Sequence, residues 1–316
     1  MDSVSKRDTG SSIYLQAKVT PVVQHADAKA VQGFSWTRIW KENQAGIIIL
    51  TCLIAWLYHH VAVKLFADWY QLPDYSYGFF VPFFAVYILS VTAKEFVNPV
   101  FTPSWAGVAV LMFALLMLLT GILGADLYLS RASFILVLAA LVWSFAGLRV
   151  LGQLKMVLLL LFLAIPLPAL VLNQVTFPLQ LLASKLASAM LALMNIPVLR
   201  DGNVIQLPSM KLEVAEACSG IRSLMSLFTL AVVFGYFQEK KTSKRVIIAL
   251  ASIPIAVAAN AIRIFGTGLC VQYWNPDKAQ GFFHEFSGWV MFVISLCCLY
   301  AVDRAMHFSW RNREAN

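Results

Sequence analysis

The chain has 316 residues, 60% of them hydrophobic and only 13% charged, with a formal net charge of +8 and a mean hydropathy of +0.74. A soluble domain is nearer half apolar and a quarter charged, so this balance excludes an ordinary soluble fold and points to an all-α polytopic membrane protein. The apolar runs are long rather than short and alternating, against an outer-membrane barrel. The basic residues gather at the ends of those runs, as topology signals and lipid-headgroup contacts do, against nucleic-acid binding.

In chain order, residues 1–43 are polar and read as a cytoplasmic tail, with no cleavable signal peptide expected at this start. An amphipathic approach to the membrane begins at Trp36. A crossing helix needs about 20 apolar residues. Eight stretches qualify or nearly do: 46–66, 78–93, 105–124, 131–148, 154–172, 218–237, 246–269 and 287–305. Six Lys or Arg residues precede the first, Arg149 falls between the fourth and fifth, and Lys155 opens the fifth. Lys240, Lys241, Lys244 and Arg245 link the sixth and seventh, and Arg304, Arg311 and Arg313 follow or close the eighth. All of these share one side if both termini are cytoplasmic, as the positive-inside rule prefers. The expected organisation is a membrane-embedded domain over 44–306 between tails at 1–43 and 307–316.

Residues 174–194 are long enough to make a ninth span. Gln180, Ser184 and Ser188, spaced four apart beside Lys185, give them a polar stripe. A ninth crossing would also carry the basic 240–245 segment to the other side. The stretch therefore reads as a helix lying in or dipping into the outer interface. Asp201-Gly202 then sits between two apolar runs, a strong hairpin signal. Strand backbone cannot face lipid with unpaired amides, so a small outer hairpin is expected, packed over the bundle. No internal repeat is present.

With eight spans, three polar residues from three helices reach the same outer boundary. Cys218 begins the sixth, where the positive end of the helix dipole and Arg222 one turn on both favour thiolate. Arg263 lies about 9 Å inside the outer end of the seventh at 1.5 Å per residue. With Asn260 one turn earlier, it suggests a polar patch turned inward rather than an arginine snorkelling to headgroups. His284 stands just before the eighth, able to accept and return a proton. Each has a plainer use: a small residue at a crowded helix start, a lipid-facing cation, an interfacial helix anchor. Together they match acyl transfer by a thiolate, with an imidazole for protons and a guanidinium for the oxyanion.

Cys52, Cys297 and Cys298 lie inside apolar segments and read as packing residues. No Cys/His spacing suits a metal, and neighbouring His59 and His60 point in different directions. No cofactor and no metal is expected.

The residues Glu216-Ala-Cys-Ser-Gly-Ile-Arg-Ser-Leu224, Asn260-Ala-Ile-Arg-Ile-Phe-Gly-Thr-Gly268 and His284-Glu-Phe-Ser-Gly-Trp289, in this order on successive helices, resemble the exosortase/archaeosortase membrane transpeptidases. Segments 165–184 and 75–82 are also similar to family segments, so the resemblance runs from about residue 70 to 305. It implies Cys218 as nucleophile, Arg263 as transition-state stabiliser and His284 as proton-transfer residue, with Arg222 and Asn260 in support. It further implies a bacterial inner-membrane enzyme with its site at the periplasmic face. Its substrates would be exported proteins with a C-terminal sorting signal: a Pro-Glu-Pro motif, a transmembrane helix and a basic tail. Cleavage would form a thioester resolved by water or by an acceptor, which the family's links to exopolysaccharide-producing systems would associate with exopolysaccharide. One departure stands out: the family often has histidine where Tyr77 stands here, which favours His284 as the working imidazole. Two other readings remain: a non-catalytic membrane component of an exopolysaccharide export system, and a transporter using Arg263 as an anion site. For the latter, the polar cluster lies at the outer edge rather than near the midplane.

Overall fold

A computed structural model describes residues 36–95, 102–208, 210–213, 220–274 and 282–314. The chain divides into two units, 1–47 and 48–316. Of the first, the described residues are the opening turns of helix α1 (Trp36–Gln71). The rest of α1 and every later element belong to the second.

After α1 a 3-10 turn (Pro73–Phe79) leads into α2 (Val81–Glu95). Then come α3 (Trp105–Leu123), α4 (Leu127–Ala146), α5 (Leu148–Leu163) and α6 (Ala169–Leu193). Three short strands come next, β1 (Leu199–Asp201), β2 (Val204–Gln206) and β3 (Lys211–Glu213). The chain ends in α7 (Gly220–Gln238), α8 (Thr242–Tyr273) and α9 (Phe282–Glu314). The fold is all-α and polytopic, as its composition requires. By length and composition, seven of the described helical stretches can cross a membrane: Gln44–Gln71, Pro73–Ala93, Trp105–Leu123, Leu127–Ala146, Ala169–Leu193, Thr242–Tyr273 and Phe286–Phe308.

Helix ends follow local chemistry. Ser104 caps α3 by accepting from the Ala106 amide, and Asp126 caps α4 by accepting from the amides of Tyr128 and Leu129. Gly147, at φ +92°, turns α4 into α5 with Thr102 packed where a side chain would be. The apolar run over 154–172 is not one helix. It stops at Leu163, and α6 starts only at Ala169. Pro166 and Pro168 lie in the gap, and each disfavours helical backbone in the residue before it. By contrast Pro178 and Pro254 sit inside α6 and α8 without ending them. Helix α9 continues to Glu314, beyond the tail boundary expected at 307.

The α3–α4 hairpin is the tightest pair. Gly107, Ala114 and Gly121 recur every seven residues along α3 and are buried. Side chains added at either glycine would collide with Ser144 or Ser130 of α4. Small residues let membrane helices approach closely enough for dispersion to hold them. Against this pair α1 places Tyr58, bonded to Ser133 at 3.0 Å, and Asp68, paired to buried Arg131 at 2.6 Å.

The end of α5 is tied to the end of α1 and the 3-10 turn. Trp69 Nε1 donates to the Ala164 carbonyl at 2.9 Å, and Tyr77 Oη donates to the Leu163 carbonyl at 2.9 Å. The Trp69 ring meets Phe79 edge-on at 5.7 Å, and a Cβ on Gly78 would land on that indole. The bond to Ala164 keeps the ring from stepping aside. Gly78→Ala is therefore expected to destabilise the fold by roughly 1–3 kcal/mol, the usual cost of overpacking. Thermal unfolding in detergent checks this, and an unchanged midpoint would refute it.

Helices α7 and α8 are antiparallel: Leu224 packs with Ala256 near one end, Ala231 with Ile248 further along. Helix α6 runs beside the C-terminal half of α8 in the same direction, since Thr176 and Gln180 adjoin Ala256 and Asn260, and Leu191 lies on Gly268. The strands form one antiparallel sheet in the order β1-β2-β3. Asp201 pairs with Val204, so the turn residues are Gly202 and Asn203, with Gly202 at φ +61°. Ile205 and Leu212 pair across the sheet and bury against Ala187 and Leu191 of α6 and Ile264 and Val271 of α8. Ser184, fully buried, donates to the Gly202 carbonyl at 3.0 Å. The middle of the α6 polar stripe thus faces the sheet, because the hairpin's carbonyl needs a partner there.

At the other end of α7 and α8, Glu239 Oε1 lies 3.3 Å from Lys244 Nζ and 3.0 Å from His307 Nε2, with Asp303 Oδ1 3.7 Å from the same nitrogen. Glu239, Lys244 and Asp303 are buried. Pairing of this kind is what makes buried charge tolerable.

Candidate active site

Arg263 is half-buried on α8, between buried Asn260 and Ile264. Its guanidinium lies along α9 at Gly288: the central carbon is 3.5 Å, and the two terminal nitrogens 3.6 and 3.7 Å, from where a Cβ would stand. A cavity of about 790 Å³ opens beside it. One wall is α7, contributing Arg222, Ser223, Ser226, Thr229, Leu230 and Val233. These positions recur every three or four residues, so a single helix face lines the cavity over about 16 Å. The 3-10 turn and α2 supply Ser76, Tyr77, Phe80, Val81 and Phe84, and α9 supplies Gly288, Trp289 and Phe292.

Arg222 and Arg263, singled out by sequence, therefore line one cavity. Arg222 is 54% exposed, with Nε 3.7 Å from Asp74 Oδ1 of the 3-10 turn. Asn260 is buried and lines a different, small cavity with Thr176 and Gln180, of about 20 Å³. Cys218 lies outside the described residues; α7 starts at Gly220, two residues on. His284 belongs to α9, one turn before Gly288, with its side chain outside the described set.

Sequence reasoning missed the hydroxyl row. Ser223, Ser226 and Thr229 follow Arg222 at intervals of three on an otherwise apolar helix, a spacing that marks one face and was legible. Tyr77 also lines the cavity while its hydroxyl is engaged by the Leu163 carbonyl. His59 and His60 are both exposed. Among the described residues the group with metal-ligand spacing is Glu239, Asp303 and His307, whose ligand atoms fall within 4.8 Å of one another, at the far end of α7 from the cavity.

Comparison with known families decides what kind of membrane protein carries this cavity. The family model described as transmembrane exosortase (Exosortase_EpsH) matches residues 69–301. The chain belongs to the transmembrane exosortase family. The matched region runs from Trp69 through the whole cavity wall to the C-terminal helix, so it covers every helix that lines the cavity. This exosortase-like protein is thus a multi-pass membrane protein, and its native surroundings are a lipid bilayer. No curated protein and no solved structure gave a match.

Proposed function

We propose that this exosortase is a membrane cysteine transpeptidase or protease that cleaves C-terminal sorting signals of exported proteins through a thioester. The observation that carries the reading is the Arg263 guanidinium set against Gly288 in a cavity walled by the first turns of α7 and α9. Cys218 stands two residues before the first of these helices in sequence. Residue 284 sits one turn before Gly288, and residues four apart share a helix face.

In the proposed reaction the Cys218 thiolate adds to the scissile carbonyl, and Arg263 holds the oxyanion so formed. Collapse breaks the peptide C–N bond and leaves an acyl thioester, while His284 delivers a proton to the departing amine. An acceptor, water or a nucleophile associated with exopolysaccharide, then adds to the thioester. His284 takes the acceptor's proton, and the thiolate leaves. The substrate's own membrane helix brings the bond to the site without a three-dimensional search.

The proposed setting is the bacterial inner membrane, with both termini cytoplasmic and the cavity at the periplasmic face. The packing of the Leu191 end of α6 and of the C-terminal half of α8 against the sheet supports placing the sheet at that face, as a cover over part of the bundle. On this reading the charge pattern makes α6 a helix dipping into the outer interface rather than a return crossing. The membrane-embedded domain would then be 44–306.

The test is co-expression with an epitope-tagged protein ending in a Pro-Glu-Pro motif, a transmembrane helix and a basic tail. The expected result is a shorter tagged product that appears only with the exosortase. A tagged protein of unchanged mass beside abundant exosortase would overturn the reading.

A further inference from the structure

Arg222 has a different situation from Arg263. It projects from the first full turn of α7, more than half exposed, and among the described residues its acidic partner is Asp74 at the rim of the site. At 3.7 Å that contact is too long for a hydrogen bond, and exposed pairs of this kind hold weakly. Among the described residues that line the cavity there are two guanidiniums and no carboxylate. Phe80, Val81, Phe84 and Leu230 make the adjoining wall apolar, which weakens screening of any charge that enters.

A carboxylate arriving in the cavity can displace Asp74 at small cost and make the planar, two-bonded contact that suits a guanidinium. Arg263 is less available for this, being half-buried and packed on Gly288. We propose that Arg222 is a specificity-determining residue that binds an acidic side chain of the substrate peptide near the cleaved bond, with Asp74 holding the guanidinium when no substrate is present. This rests on the cavity being the substrate site of the proposed transpeptidase.

The experiment co-expresses wild-type, R222Q and R222E full-length chains with tagged substrates whose motif carries glutamate, glutamine or lysine at the acidic position. With the wild-type chain, cleavage is expected to fall about tenfold or more from glutamate to lysine, as loss of a close charge pair commonly costs. R222Q should cleave the glutamate and glutamine substrates alike. R222E should cleave the lysine substrate better than the glutamate one, reversing the wild-type order. Each comparison is a ratio within one variant, so differences in abundance cancel. A wild-type ratio retained in R222Q or R222E overturns the inference. So does an R222Q chain of normal abundance that cleaves neither substrate, because a specificity role leaves the neutral substrate cleavable. If the broader reading fails instead, the wild-type chain cleaves no substrate, or cleavage persists in Cys218→Ala.

Discussion

Replacing Cys218 by alanine is expected to leave a co-expressed sorting-signal protein at its full length, a loss of at least about 10³-fold in processing rate. None of the described cysteines can take over. Cys52, Cys297 and Cys298 lie in membrane-spanning helices away from the cavity wall, and Cys270 packs against the buried cluster under the sheet. Cys218→Ser should fail almost as badly, because a hydroxyl is far harder to ionise than a thiol. These two variants also separate catalysis from scaffolding. A non-catalytic component of an export system would tolerate both, since serine and alanine fill about the same space. The measurement is the ratio of cleaved to uncleaved tagged substrate at matched exosortase abundance in the membrane. Undiminished cleavage in either variant would end the thioester mechanism.

Arg263→Ala carries the second-largest expected effect. Removing an oxyanion donor usually costs about 10²–10³ in kcat, or roughly 2.7–4 kcal/mol. The guanidinium lies beside Gly288 of α9, so its position is set by helix packing rather than by the substrate. That pre-organisation predicts a fall in turnover with little change in substrate affinity. Arg263→Lys should recover only part of the loss, because an ammonium keeps the charge but lacks the planar fork that can give an oxyanion two parallel hydrogen bonds. Pulse-chase of the tagged substrate gives the rate, and co-purification with Cys218→Ala gives the affinity. An Arg263→Ala chain that processes at the wild-type rate would assign this residue to packing or snorkelling instead.

Much of the architecture was legible because membrane physics restricts the options. Long apolar runs had to be helices, and Asp201-Gly202 between apolar residues had to turn, although the turn residues proved to be Gly202 and Asn203. The break at 164–168 was hidden because Leu167, Ala169 and Leu170 keep the run apolar across both prolines. Hydropathy reports burial in lipid and is blind to the missing amide of proline. Strand β3 was invisible for another reason: a three-residue strand carries too little periodicity to register, and its existence depends on pairing with β2. The α6 stripe was visible as a pattern, but a pattern does not say whether Ser184 meets water or a carbonyl. For the site, sequence could name Arg222 and Arg263 separately. That they share a cavity follows from the antiparallel packing of α7 and α8 and the glycine on α9, which no single motif encodes.

The cavity follows one face of α7 for several turns, and its wall is completed by α2 and α9, themselves membrane-crossing helices. On the proposed function, enzyme and substrate therefore meet within a single lipid sheet. The concentration that governs their encounter is then molecules per lipid, not molecules per litre. Diluting vesicles with buffer leaves that quantity untouched, whereas enriching them with lipid lowers it. A cell would set the rate of sorting by how crowded its membrane is with signal-bearing proteins, and by how quickly their cleaved tails clear the groove.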